Sequence, residues 1–293
     1  MTLFNGIGAA MVTPFGKDGN IDYAVLERYI EHLIAGGVSA LFPFGTTGEP
    51  ATVTTEEYEK ATAFVVEKAG GRVPVIAGAG SNSTAVACER AAVAKKLGAD
   101  AVLVVTPYYN KCTQRGIVEH YKAVAAQGIP VIVYNVPTRT CVNIQPATIA
   151  ELTKIDGIIG IKEASGDIDQ FQDAAKVCDD FGLAMYCGDD SLTVISIALG
   201  CKGVISVAAN PAPKQMTALY NMCASGDYEK ARKEQFRLSG FIHSLFCEVN
   251  PIPAKKAMQL IGIDVGSPRL PLTELEPEHT ERLIFTMKKI GLI

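Results

Sequence analysis

The run Ile158–Glu163 reads IIGIKE: apolar until it ends on a lysine and a glutamate. Burial disfavours an ammonium ion. A lysine at the dry end of a strand therefore offers a neutral amine, the group that forms Schiff bases with ketones. The competing reading is an ion pair, with Glu163 or with a nearby helix end. Position alone leaves the two balanced. Other short runs end in groups that bear on the choice: Thr46 and Thr47 in GTTGE, Tyr108 and Tyr109 in TPYYN, Tyr134 and Arg139 in YNVPTR, Gly188–Asp190 as GDD, and Ile205 with Ser206 in GVISVAA. Together they supply one amine, several hydroxyls and a guanidinium. The hydroxyls favour chemistry for Lys162.

Each of these residues has a plainer role when taken alone. Tyr134 can pack its ring and find a backbone partner for its hydroxyl. Thr46 and Thr47 can cap a helix, and Arg139 can be a solvated loop residue. Beside a Schiff base, however, a tyrosine hydroxyl passes protons, and a guanidinium receives a carboxylate in bidentate fashion. Carbonyl chemistry of this kind needs an amine, a proton relay and carboxylate recognition. It needs no metal and no organic cofactor. A His–carboxylate cluster of metal-hydrolase type and a G-x-S-x-G elbow are both missing. The stretch GAGSNST (78–84) matches neither a Walker loop nor G-x-G-x-x-G, and reads as a tight turn with Ser or Asn capping the next helix. Lys255–Lys256 reads as a solvated face.

Something must bring these strand ends together. The 293 residues are 48% hydrophobic and 20% charged, enough for a sizeable core. Apolar runs at 6–13, 40–45, 73–80, 100–107, 130–137, 157–163, 183–190 and 203–209 read as strands. They are continuous rather than alternating, as parallel strands buried on both faces should be. Amphipathic stretches follow them. DYAVLERYIEHLIAG puts Leu26, Tyr29, Ile30, Leu33 and Ile34 on one face. Thr54 and Glu57 form a capping box, and Asn210 before Pro211 reads as a helix start. Eight strand–helix units over residues 1–224 predict an α/β fold, a (β/α)8 TIM barrel, with a doubly wound open sheet as the alternative. Residues 225–293 predict a helical C-terminal extension. In such a barrel the active site lies at the C-terminal strand ends, so the groups above converge. Glu163, next along β-alternation, then points away from Lys162.

The formal net charge of −4 gives no case for nucleic acid or an anionic membrane surface. No apolar run is long enough to span a bilayer. The first residues carry no basic segment ahead of an apolar one, so the expected location is cytoplasmic. The eight cysteines form no CxxC and read as reduced, buried core residues; for Cys141 burial is favoured over the alternative, a reactive thiol beside a site.

GTTGE (45–49), TPYYN (106–110), YNVPTRT (134–140), GIKEASGD (160–167), CGDD (187–190), GVISVAAN (203–210) and NPIPAK (250–255) occur in this order along the whole chain. Together they resemble the dihydrodipicolinate synthase family, within the pyruvate-dependent class I aldolase superfamily. The resemblance implies that Lys162 forms a Schiff base with pyruvate. The resulting enamine attacks L-aspartate-4-semialdehyde, giving 4-hydroxy-tetrahydrodipicolinate on the diaminopimelate route to lysine. It implies Tyr134 as proton donor and acceptor, Thr46 hydrogen-bonded to it as a relay, and Tyr109 reaching in from a partner subunit. It implies Thr47, Gly188 and the backbone around Ile205 on the pyruvate side, Arg139 on the second substrate's carboxylate, and a homotetramer built from tight dimers. Sialic-acid lyases and keto-deoxy-sugar aldolases share the lysine and tyrosine, but the pairing of PYYN with the arginine of YNVPTRT favours the synthase. A non-catalytic keto-acid-binding regulator is the reading from another class. The joint presence of Lys162, Tyr134, Thr46 and Tyr109 argues against it.

Two departures stand out. Cys141 occupies a position where the family often has glycine, which restricts φ there. Pro50 replaces a common serine and removes a hydroxyl and a backbone donor near the expected subunit contact. Where inhibition by lysine occurs in the family, the cleft carries polar and acidic groups. Asn82 and Tyr108 match it, while Tyr58 and Val86 stand where a histidine or lysine and a glutamate are typical. A cationic effector loses its charge partner at Val86, so weak or absent lysine inhibition is expected.

Overall fold

A computed structural model describes residues 2–293. Its eight strands are β1 (Gly6–Ala10), β2 (Ala40–Phe42), β3 (Ile76–Gly78), β4 (Ala101–Val105), β5 (Val131–Asn135), β6 (Ile158–Glu163), β7 (Ala184–Cys187) and β8 (Gly203–Ser206). They pair in parallel in the order β2-β1-β8-β7-β6-β5-β4-β3. The remaining seam is bridged at Leu41 and Val75, with Leu41 N donating to Pro74 O at 3.0 Å and Gly78 N to Pro43 O at 2.8 Å. The result is a nearly closed (β/α)8 barrel rather than an open sheet. All but β6 stop short of their predicted ends, because the last residues leave the ladder to build the loops above the barrel.

Helices surround the strands: α1 (Tyr23–Ala35), α2 (Thr55–Ala69), α3 (Thr84–Lys96), α4 (Gln114–Ala125), the single turn α5 (Pro137–Thr140), α6 (Pro146–Leu152), α7 (Ile168–Phe181), α8 (Thr193–Ala198) and α9 (Pro213–Ala224). Three more follow, α10 (Tyr228–Ser244), α11 (Ile252–Leu260) and α12 (Pro277–Lys289). Their starts are chemically marked. Asp22 accepts from Val25 N ahead of α1, and the Thr54–Glu57 capping box opens α2. Leu26, Tyr29, Ile30 and Leu33 of α1 are buried against the barrel. The C-terminal helices join the same core. Gln235 of α10 donates to Asp190 O at 3.2 Å, and Ser244 of α10 meets Thr286 of α12 at 2.9 Å. Among the described residues no helix is long and apolar enough to cross a membrane.

Four local expectations are corrected. Asn210 does not start a helix, since α9 begins at Pro213 behind Ala212. Its amide is buried instead, donating to Ala10 O at 2.9 Å and Val207 O at 2.7 Å and accepting from Val12 N and the Tyr29 hydroxyl. Buried backbone at the end of β1 needs partners, and this side chain supplies them. GAGSNST is a turn, but Ser83 at the α3 cap position makes no capping bond; Ser81 Oγ accepts from Ser83 N at 3.1 Å. Only four of the eight cysteines, at 178, 187, 201 and 223, are buried, and Cys141 is exposed. It closes α5 with φ +56°, a left-handed conformation that an end-of-helix position demands and a non-glycine residue resists. Lys255 is not on a solvated face. It is 1% exposed and ion-paired.

Candidate active site

Parallel register sets the centre of the site. Tyr134 on β5 pairs with Lys162 on β6, so both side chains leave the same level of the barrel on the same side. They line one cavity of about 370 Å³ together with Thr46, Thr47, Gly188 and Arg139. Lys162 is 5% exposed. Among the described residues it has no carboxylate within ion-pair distance; its Nζ lies 4.3 Å from the centre of the Tyr134 ring. Glu163 is turned away, as strand alternation requires. Its carboxylate accepts from Asn135 Nδ2 at 2.9 Å and Ser165 N at 2.6 Å. Burial raises its pKa above the ordinary glutamate value, and these hydrogen bonds pull it back. The ion pair open to Lys162 at the sequence level is therefore absent.

Gly188, just past β7, makes room for the lysine. A Cβ there would lie 2.7 Å from Lys162 Cε and 2.6 Å from Ala164 Cβ. Thr46 and Thr47 sit in a single 3-10 turn, Thr46–Gly48, after β2. Neither caps a helix with its side chain. The Thr47 hydroxyl accepts from Asn250 Nδ2 at 2.9 Å. Thr46 and Tyr134 share the cavity wall, but among the described residues no hydrogen bond joins them, in contrast to the expectation. Arg139 stands exposed on α5 at the rim and donates to Asn250 O at 3.1 Å. Ile205 is buried inside β8, and the residue that lines the cavity there is Val207, just past the end of the strand. Tyr109 lines neither this cavity nor its neighbour. It is 91% exposed, with φ +71°.

A second cleft, of about 510 Å³, adjoins the first and shares Thr46, Tyr134, Arg139 and Asn250 with it. Arg90, Tyr108, Pro50 and Glu49 line its other parts. Arg90 lies 5.7 Å above the ring of Tyr58, whose buried hydroxyl has no hydrogen-bond partner among the described residues. Asn250 is the residue that sequence reasoning missed. It touches Thr47 and Arg139 at once, yet it stands 203 positions from Thr47. Its only signal was membership of the NPIPAK block. Asp190 was read only as a strand end. It is fully buried and accepts from Val207 N and Ala208 N, both at 2.9 Å, so it fixes the loop that follows β8. Burial pushes its carboxyl up to about 6, against the pull of hydrogen bonds from Ser206 and Ala208.

A barrel with an unpaired lysine buried beside a tyrosine at adjoining strand ends has the architecture of the Schiff-base, class I aldolases. The dihydrodipicolinate synthetase family model matches residues 3–290. The chain belongs to that family. It is 46% identical to the 4-hydroxy-tetrahydrodipicolinate synthase of Methanospirillum hungatei JF-1, over 96% of this chain and 97% of that one. The crystal structure of dihydrodipicolinate synthase from Thermotoga maritima superposes with a TM-score of 0.98 at 41% identity, covering all of both chains. The enzyme from Cyanidioschyzon merolae, solved with lysine bound, superposes with a TM-score of 0.96 at 38% identity, again over the whole of both chains.

Proposed function

We propose that this chain is a lyase that condenses pyruvate with L-aspartate-4-semialdehyde to give 4-hydroxy-tetrahydrodipicolinate, in the diaminopimelate route to L-lysine. The observation that carries the reading is the buried Lys162 amine, without a carboxylate partner and 4.3 Å from the Tyr134 ring. The amine adds to the ketone carbon of pyruvate, and loss of water leaves an iminium. Loss of a methyl proton gives the enamine, whose carbon bonds to the aldehyde carbon of the second substrate. The amino group of that substrate then displaces Lys162 from the former ketone carbon. The ring closes, and the lysine is returned. One water leaves per turnover.

In this scheme Tyr134 donates and accepts the protons of carbinolamine formation and enamine attack. Thr46 relays them. Thr47 and Gly188, with the β8 backbone around Ile205, hold the keto acid, and Arg139 receives the carboxylate of the semialdehyde. Tyr109 completes the hydroxyl chain from a second copy. Its exposure and its absence from the lining of both cavities of its own chain support that role, and with it a homotetramer built from tight dimers. Cytoplasmic location fits a biosynthetic reaction between small soluble metabolites.

The test is to incubate the protein with pyruvate, reduce with borohydride and map the modified peptide. An adduct on Lys162 is expected. Absence of an adduct, or an adduct elsewhere, would overturn the mechanism. A coupled assay comparing aspartate semialdehyde with keto-deoxy-sugar acids then fixes the second substrate.

A further inference from the structure

The turn that carries Thr46 and Thr47 is fastened from the far end of the chain. Its closing residue, Glu49, donates its N–H to Thr46 O at 3.2 Å and takes the left-handed conformation, φ +55°. That is a strained choice for a residue with a side chain. The Glu49 carboxylate is buried. One oxygen lies 2.8 Å from Lys255 Nζ on α11, and the other accepts from Arg269 N at 2.9 Å. Lys255 also donates to Ser267 O at 3.1 Å and rests 4.2 Å from the centre of the Phe15 ring. Burial depresses its pKa, and Glu49 opposes that shift. The preceding residue of the turn is tied as well, since Thr13 Oγ1 donates to Gly48 O at 2.6 Å.

A fully buried ion pair contributes little net stability; an apolar pair of the same volume fills such a place equally well or better. What it adds is a fixed geometry, because neither charge tolerates leaving its partner. Here the fixed point is two residues beyond Thr47. Glu49 lines the adjoining cleft and not the Lys162 cavity, so its effect on chemistry passes through the turn. We infer that Lys255 and Glu49 are a positioning pair, setting the Thr46–Thr47 hydroxyls at the distance from Lys162 that keto-acid binding and proton relay require. The inference rests on the Schiff-base reading above for what the two threonines do.

The experiment compares the parent chain with Lys255→Met and with Glu49→Gln/Lys255→Met, each as full-length protein. Melting temperature and the pyruvate concentration for half-maximal borohydride trapping at Lys162 are measured together. The single variant is expected to lose both stability and trapping. The double variant removes both charges, so its melting temperature returns close to the parent's. Its half-maximal pyruvate concentration nevertheless stays about ten-fold higher, because a displaced binding group is not repaired by neutralisation. A double variant that regains stability and pyruvate response together overturns the inference and leaves the pair purely structural. Should the double variant not fold, Glu49→Asp retracts the carboxylate while keeping its charge. It is expected to raise the same half-maximal concentration in a folded protein, and an unchanged response overturns the inference. A parent chain that traps no pyruvate sinks the Schiff-base reading itself, and this inference with it.

Discussion

The protein buries two lysines and treats them in opposite ways. Lys255, 1% exposed, sits against a carboxylate, a carbonyl and an aromatic face. Lys162, 5% exposed, has an aromatic face beside it and no carboxylate within ion-pair distance among the described residues. Both sites carry the desolvation cost of a charge. At Lys255 the partner offsets that cost and locks two segments together. At Lys162 no carboxylate among the described residues offsets it. The two lysines thus differ in their partners, not in their burial, and on the proposed reading that difference separates a structural lysine from a reactive one.

The largest test of this contrast is removal of the unpartnered amine. Lys162→Ala is expected to abolish the borohydride-trapped pyruvate adduct while leaving circular dichroism unchanged and the melting temperature at or above the parent's. Loss of the fold would mean that Lys162 is structural after all. Next comes Tyr134→Phe, which keeps the ring beside Nζ and deletes only the hydroxyl. Turnover should fall by about 10²–10⁴-fold, the usual worth of a positioned acid–base group, with the fold intact. An unchanged turnover would show the ring, not the proton, to be what Lys162 uses.

The same type of change at the partnered lysine should act on stability instead. Lys255→Met strands the Glu49 carboxylate in the core and should cost about 3–5 kcal/mol in denaturant unfolding, as breaking a buried pair does. Lys162→Met should be neutral or stabilising in the same assay. Equal costs at the two positions would erase the distinction.

This contrast also marks what was legible from residues alone. The eight strands could be read because strands buried on both faces are written as unbroken apolar runs. Lys162 and Tyr134 were visible because each ends such a run. Lys255 was not: a Lys-Lys pair in an amphipathic helix looks solvated, and its partner Glu49 lies near the other end of the chain. Asn210 and Asn250 were lost for the same reason, since their partners at Ala10 and Thr47 are set by barrel closure and by the packing of α11. Cys141 read as core, because small thiols usually are, whereas its place was fixed by the end of α5. Local pattern specifies elements; a buried polar contact between distant segments leaves no local mark.

A smaller effect separates two other buried groups by pH. His120 on α4 bonds Thr84 through Nδ1 at 3.0 Å, while its Nε2 has no partner among the described residues, and burial lowers its pKa to about 4. Its contribution to stability is present above the unfolded value of about 6.5 and is lost as pH falls towards 4, at no more than about 1.4 kcal/mol per pH unit. Asp190, pushed up to about 6 by burial, has the opposite sign. Its contribution is greatest below the unfolded value of about 3.9 and is lost as pH rises through 6. Between about pH 4 and 6 the two slopes oppose each other. His120→Gln should flatten the acid side of the melting curve against pH, and Asp190→Asn should steepen it. If both variants leave the slope of the parent, neither group is linked to folding.

The smallest expected effect is that of free L-lysine. Among the residues lining the larger cleft Glu49 is the one acid, and Lys255 already occupies its carboxylate. Arg90 faces the same cleft without a carboxylate within ion-pair distance among the described residues, and Val86, one helical turn before it on α3, is apolar. An incoming ammonium would therefore meet two like charges, Arg90 and Arg139, and no free opposite one. L-Lysine is expected to leave the condensation rate unchanged up to millimolar concentration. Steep inhibition below that range would show that Glu49 can exchange Lys255 for a ligand, making the partnered lysine a switch instead of a fixed anchor. The variant Val86→Glu, which places an acid one helical turn from Arg90, then tests whether charge alone sets the response. If it does, sensitivity to L-lysine should appear in that variant without any change in pyruvate trapping at Lys162.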